Sequence, residues 1–229
     1  MGVHDGHRER LKGQFLAHGL DGLTDVNVLE LLLFFAIPRR DTNELAHALL
    51  DRFGSLEAIF DASESELESV PQIGKNAATL IRLLPAVMRR CEISRTRSIQ
   101  TITGSSDAAR FFLPRLRYEK DELLLLLCLD SQKRVLSCTE VARGSLNEVK
   151  ISVRKIVETA VKDRARSVIL AHNHPDGAAR PSKEDELTTR RIVSALKLVD
   201  IPVDDHIVVG NDEYCSFAQC GLLNDRRYI

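Results

Sequence analysis

This sequence predicts an α/β fold in which a mixed sheet packed by helices follows a separate all-helical region, and three observations predict it. From Asp5 to about Cys91 the apolar residues recur three and four apart, with no strand-like alternation. From Ser106 onward, apolar runs of strand length alternate with amphipathic helical segments. Between the two textures the stretch ISRTRSIQTITGSS loses helical period and becomes rich in Ser, Thr and Arg, as a connection does. We therefore divide the chain into an all-helical domain over 1–100 and a mixed α/β domain over 101–229.

The helical half should form about five or six short helices, on the periodicity of Leu11 with Phe15, Leu16 with Leu20, and Val28 with Leu31 and Leu32. Asp25 and Thr42 stand at expected N-cap positions, Asp41 and Ser63 offer similar acceptors, and Gly54 and Gly74 mark stops or turns. After a helix over 106–117, LLLLLCLD (123–130) and RVLSCTEV (134–141) read as a hairpin around Asp130 to Lys133. A helix over 152–163, a strand SVILAH (167–172), a helix over 182–198 and a strand VDDHIVVG (203–210) follow, ahead of a short tail.

With 229 residues, 44% hydrophobic and 28% charged, the chain has the composition of a globular protein with one or two cores. A net charge of -1 excludes a global basic field, so any contact with nucleic acid must be local. Five scattered cysteines without a CxxC pair argue against a disulfide framework and a cysteine zinc knuckle, and read as buried thiols in a reducing compartment. The longest apolar runs, Leu29 to Ile37 and Leu123 to Leu129, fall short of the about 20 residues that span a bilayer. The N-terminus is polar, so the expected location is cytoplasmic, without a membrane partner.

The segment His172 to Asp185, HNHPDGAARPSKED, carries the chemistry. His172 and His174 are two apart at a strand end, so both imidazoles project from one face. Pro175, Asp176 and Gly177 turn the chain, and Pro181 and Ser182 begin a helix that returns Asp185 toward the imidazoles. Two nitrogens, one oxygen and an open position suit Zn2+ better than calcium or magnesium. Ser182 followed by acidic residues is also an ordinary helix start.

The spacing HNHPxG…PSxxD resembles the JAMM/MPN metalloprotease signature, and with the downstream DHIVVG it resembles the bacterial RadC family over essentially the whole chain. The resemblance implies a JAMM-like mixed sheet with cytidine deaminase-like layering, and zinc on His172, His174 and Asp185. It further implies that Ser182 holds the intermediate's oxygen and that a glutamate on the first strand serves as base toward the attacking water. Glu122, just before LLLLLCLD, matches that glutamate; Glu119, Glu140 and Glu148 are its rivals. Asp205 and His206 match a DH pair that either orients a ligand or is merely a buried polar pair. His4, His7, His18 and His47 lack ligand spacing and read as surface residues.

Two departures from the family pattern stand out: Ser152, Val153 and Lys155 replace the His, Pro and Glu of HPREV while Arg154 stays in register, and Asp176 replaces a serine. Residues 49–84 resemble a tandem helix-hairpin-helix, with FGSLEAI and VPQIGKNAATLI as the hairpins. Such hairpins bind DNA without sequence preference through the turn's N–H groups, here at Ile73, Gly74 and Lys75, although Gln72 replaces a customary glycine. The acidic run Asp61, Glu64, Glu66 and Glu68 favours a pure packing unit instead. Arg39, Arg40, Arg89, Arg90, Arg95 and Arg97 are further candidates for phosphate contact. The expected activity is thus a zinc-dependent hydrolase acting on a peptide or protein, with a DNA-binding accessory protein of repair or recombination as the alternative.

Overall fold

The computed structural model describes residues 3–38, 40–96, 99–144, 152–175, 177–211 and 213–223. Arg39, Arg97, Glu148 and Asp176 lie outside these residues, as does the side chain of His4. The chain divides into two compact units, Met1–Met88 and Arg89–Ile229.

The first unit is built from α1 (Val3–His18), α2 (Asp25–Ala36), α3 (Asn43–Phe53), α4 (Leu56–Asp61), α5 (Glu64–Glu68) and the start of α6 (Lys75–Thr96). Leu29, Leu33, Leu49, Ile59, Leu67 and Ile81 are fully buried in its core. Thr24, not Asp25, caps α2: its side chain accepts from Asn27 N, and Asp25 sits in the first turn, where its charge suits the helix dipole. Thr42 precedes α3 but makes no cap bond; its hydroxyl donates to Glu30 O instead. Ser63 does cap α5, and Gly54 ends α3 at φ 86. His7 is not a plain surface residue, since its ring meets the buried carboxylate of Glu30 at 2.9 Å.

At 22 residues, α6 is longer than expected and runs through Arg95 and Thr96, where the sequence reads as a connection. Tertiary bonds override the weak local signal. Arg89 donates to Arg115 O and Glu119, and Arg115 donates to Thr96 Oγ1.

The second unit contains α7 (Ser105–Leu116), β1 (Leu123–Leu129), β2 (Val135–Arg143), α8 (Val153–Lys162), β3 (Ser167–Asn173), α9 (Lys183–Lys197), β4 (Val203–Gly210) and β5 (Glu213–Ser216). The strands form one mixed sheet in the order β2-β1-β3-β4-β5. Only β3 and β4 run parallel; the other neighbours are antiparallel. The expected tail thus supplies an edge strand, four residues long and too short to show alternation.

Strand alternation sorts the core into two layers. Leu123, Leu125, Leu127, Ile169, Ala171, Ile207 and Val209 face Phe111, Phe112 and Leu116 of α7. Leu124, Leu126, Val168 and Leu170 face Ile156 of α8 and Ile192 and Leu196 of α9. Continuous burial of β1 and β3 follows from helices on both sides. His172 follows Leu170 by two residues, so it sits on the α9 face.

Candidate metal centre

One ligand atom from each of Glu122, His172, His174 and Asp185 can be chosen so that all lie within 4.8 Å of one another. His172 comes from the end of β3, His174 from the residue just beyond it, and Asp185 from the first turn of α9. The two Nε2 atoms are 3.0 Å apart. Asp185 presents Oδ1 to His172 at 3.2 Å and Oδ2 to His174 at 3.3 Å. Glu122 lies one residue before β1, whose Leu124 is paired with His172. Glu122, like His174, is half-buried, while His172 and Asp185 are buried.

The helix start and the ligand position coincide at Asp185. Ser182 Oγ accepts from Asp185 N at 3.0 Å, and Ser182 N donates to Asp185 Oδ2 at 2.7 Å, a reciprocal capping box. The cap fixes the carboxylate without consuming Oδ1. Burial pushes the Asp185 carboxyl up, but hydrogen bonds from His172 and His174 outweigh it and hold the group well below the usual carboxylate range. Asp185's hydrogen bond in turn raises His174.

The protons behind His172 can be assigned from donor capacity. Thr189, one helical turn beyond Asp185, donates its single hydroxyl proton to Asp185 O at 2.6 Å. Its contact with His206 Nδ1 at 2.7 Å must therefore be a bond it accepts, which places a proton on His206 Nδ1. Burial, and then the nearby His172, hold His206 well below its ordinary pKa, so the ring is neutral and its Nε2 is an acceptor. His172 Nδ1, 2.8 Å away, then donates to it, which turns His172 Nε2 toward Asp185 Oδ1. His174 Nδ1 donates to Ala178 O, which can only accept, so Nε2 is the atom that His174 turns to Asp185. Two imidazole Nε2 atoms and a carboxylate thus face one another, held without an ion by hydrogen bonds to Asp185. That donor set fits a divalent ion with nitrogen and oxygen ligands.

Four further residues support this arrangement, and the sequence did not single them out for it. Thr189 is the first. Asn173 Oδ1 accepts from Leu123 N at 2.8 Å, while its Nδ2 donates to Glu119 O and Asp121 O, so it clamps both sides of Glu122. Phe217 stacks on His206 with ring centroids 4.7 Å apart. Gly210 closes β4 beneath the turn after His174: a Cβ there would meet Ala179 N and Gly177 O at 2.5 Å. The same turn carries Ala178 O, the partner of His174.

The remaining candidates go elsewhere. Asp205 points to the opposite face of the sheet from His206, where it accepts from Ser105, Ser216 and Ala218 N. His206 is satisfied by side chains, not by a neighbouring backbone group. Glu119 pairs with Arg89 and Arg143, and Glu140 with Arg143. Lys155 reaches Val141 O at 3.2 Å, and Ser152 caps α8. In the first unit Ile73 is buried, whereas Gly74 and Lys75 are exposed at the start of α6. Gln72 adopts φ 70, the left-handed backbone that a glycine would supply.

The sequence profile described as "RadC-like JAB domain" matches residues 102–222. The chain is 33% identical over 227 residues to "UPF0758 protein FN0909" of Fusobacterium nucleatum subsp. nucleatum, covering 96% of this chain and 98% of that protein. No described helix is long and apolar enough to cross a membrane.

Proposed function

From the premise that the chain belongs to the RadC family, we propose that it is a zinc-dependent hydrolase cleaving a peptide or isopeptide bond. The observation that carries this reading is the convergence of two imidazole Nε2 atoms and an Asp185 oxygen beside the carboxylate of Glu122. His172, His174 and Asp185 would hold the ion. When bound, it supplies Lewis acidity, lowering the pKa of water toward about 7 and polarising a carbonyl. Glu122 takes the proton from the attacking water and returns it to the leaving amine. Ser182 accepts from Asp185 N, which leaves its own hydroxyl proton to donate to the carbonyl oxygen as negative charge develops there.

Elemental analysis of the purified protein tests the ligand set: zinc in the wild type and its loss in His174→Ala are expected. Digestion of a peptide library tests the reaction. Glu122→Gln should keep its zinc and lose roughly 10²- to 10⁴-fold in turnover. Wild-type protein that refuses every transition metal overturns the reading.

Gln72 favours a second reading for the first unit, because its left-handed conformation frees the turn before α6 to approach a phosphate. In that reading Lys75, exposed at the start of α6, adds a charge beside Gly74, while the Ile73 N–H is already donated to Val70 O. Binding to duplex DNA that weakens with salt and drops on Lys75→Glu is the expected result. A variant that binds like the wild type removes the hairpin as the contact.

A further inference from the structure

Cys215, on β5, and Cys220, in the turn that follows, bring their sulfurs to 3.2 Å. Cys215 is half-buried and Cys220 exposed. The loop between them is tied down at its middle. Ser216 Oγ donates to Asp205 Oδ2 at 2.7 Å, and Ala218 N donates to Asp205 Oδ1 at 3.0 Å. Phe217, fully buried, lies nearly parallel to the His206 ring at an interplanar angle of 26°. Its backbone N–H also donates to His206 O at 3.0 Å, and Cys220 N donates to Ser216 O at 3.0 Å. His206 in turn carries the hydrogen bond from His172. A sulfur–sulfur bond of about 2.05 Å needs the two atoms to close by roughly 1 Å, within reach of a side-chain rotation at exposed Cys220.

We infer that Cys215 and Cys220 are a modification site: they form a reversible disulfide in exchange with small disulfides, and its closure tethers Phe217 against His206. Exposure sets the order. The Cys220 thiolate attacks one sulfur of the small disulfide and expels the first small thiolate, leaving a mixed disulfide. The Cys215 thiolate then attacks Cys220 Sγ, forms the protein disulfide and expels the second. The two protein thiol protons end on the two expelled thiolates, so two thiols and one small disulfide become one protein disulfide and two small thiols. Burial, together with the hydrogen bond that the Cys215 thiol donates to Cys220, pushes the Cys215 thiol up to about 11, which suits the resolving partner and not the first attacker.

Incubating the full-length protein with graded ratios of oxidised to reduced glutathione, followed by alkylation, digestion and mass mapping, tests the site. The expected product is a peptide carrying both cysteines, unalkylated and lighter by two hydrogens, restored by dithiothreitol. Cys215→Ser should stall with glutathione on Cys220. In the closed form, hydrogen exchange at the Phe217 and Cys220 amides should slow several-fold. Wild-type protein whose Cys220 stays free, keeps glutathione or links to a second chain overturns the inference. So does a closed disulfide that leaves exchange at Phe217 unchanged.

Discussion

At the scale of single residues, the centre depends on what stands behind His172. Thr189 has one proton and gives it to Asp185 O, which orients His206 and, through it, the ring of His172. Thr189→Val keeps the shape and removes the hydroxyl, stranding His206 Nδ1–H in a buried site. Zinc affinity, measured by chelator competition, should fall roughly 10- to 100-fold, with Thr189→Ser close to wild type. Equal affinity in wild type and the valine variant would show that this proton chain does not orient the ligand. His172, His174 and Asp185 were legible in the sequence because strand and helix periodicity over one short segment brings them together. Thr189 was not, since a threonine on an amphipathic helix gains its meaning only from the register of α9 against β4. The cysteine pair was missed for a related reason: spacing predicts neither a turn after β5 nor thiols in contact across it, and three of the five cysteines are exposed, contrary to expectation.

At the scale of elements, the end of β3 organises the beginning of β1. Asn173 sits between the two histidines in sequence but points to the other side, where its amide bonds Leu123 N, Glu119 O and Asp121 O. Those three bonds fix the segment bearing Glu122 relative to His172. Asn173→Ala would leave the buried Leu123 N–H without its partner, at a cost of about 1–3 kcal/mol. Because the proposed zinc ligands His172, His174 and Asp185 come from the end of β3 and from α9, the variant should bind zinc nearly normally while losing turnover. A variant that loses both in proportion would mean that the substitution acts through general unfolding. Strands β1, β3 and β4 could be read from their apolar runs, since burial on both faces removes polar residues from a strand. The far end of α6 could not, because bonds from Arg89 and Arg115 hold a helix where the sequence is locally ambiguous.

At the scale of the whole molecule, stability is linked to protons and, in the proposed function, to metal. Asp107, near the start of α7, is held at about 2 instead of its ordinary 3.8 by the Thr103 hydroxyl, the Thr103 N–H and Arg110. Its folded pKa is depressed, so its contribution is fully present above about pH 4 and is lost as pH falls through about 2. Asp107→Asn should therefore flatten the acid limb of stability against pH, measured by denaturant unfolding, and change nothing in the slope near neutrality. Metal acts in the opposite sense, by adding to the folded state alone. A ligand at 100 times its Kd stabilises by about 2.7 kcal/mol, which is roughly 10 °C in Tm for a unit of this size. The size of that shift separates the four clustered side chains by role. His174→Ala and Asp185→Asn should abolish most of the zinc-dependent shift, because each removes a donor. Glu122→Gln should retain most of it, because a base that handles protons is not needed to hold the ion. If Glu122→Gln instead loses the shift as completely as Asp185→Asn, then Glu122 is itself a ligand and another group must take the proton.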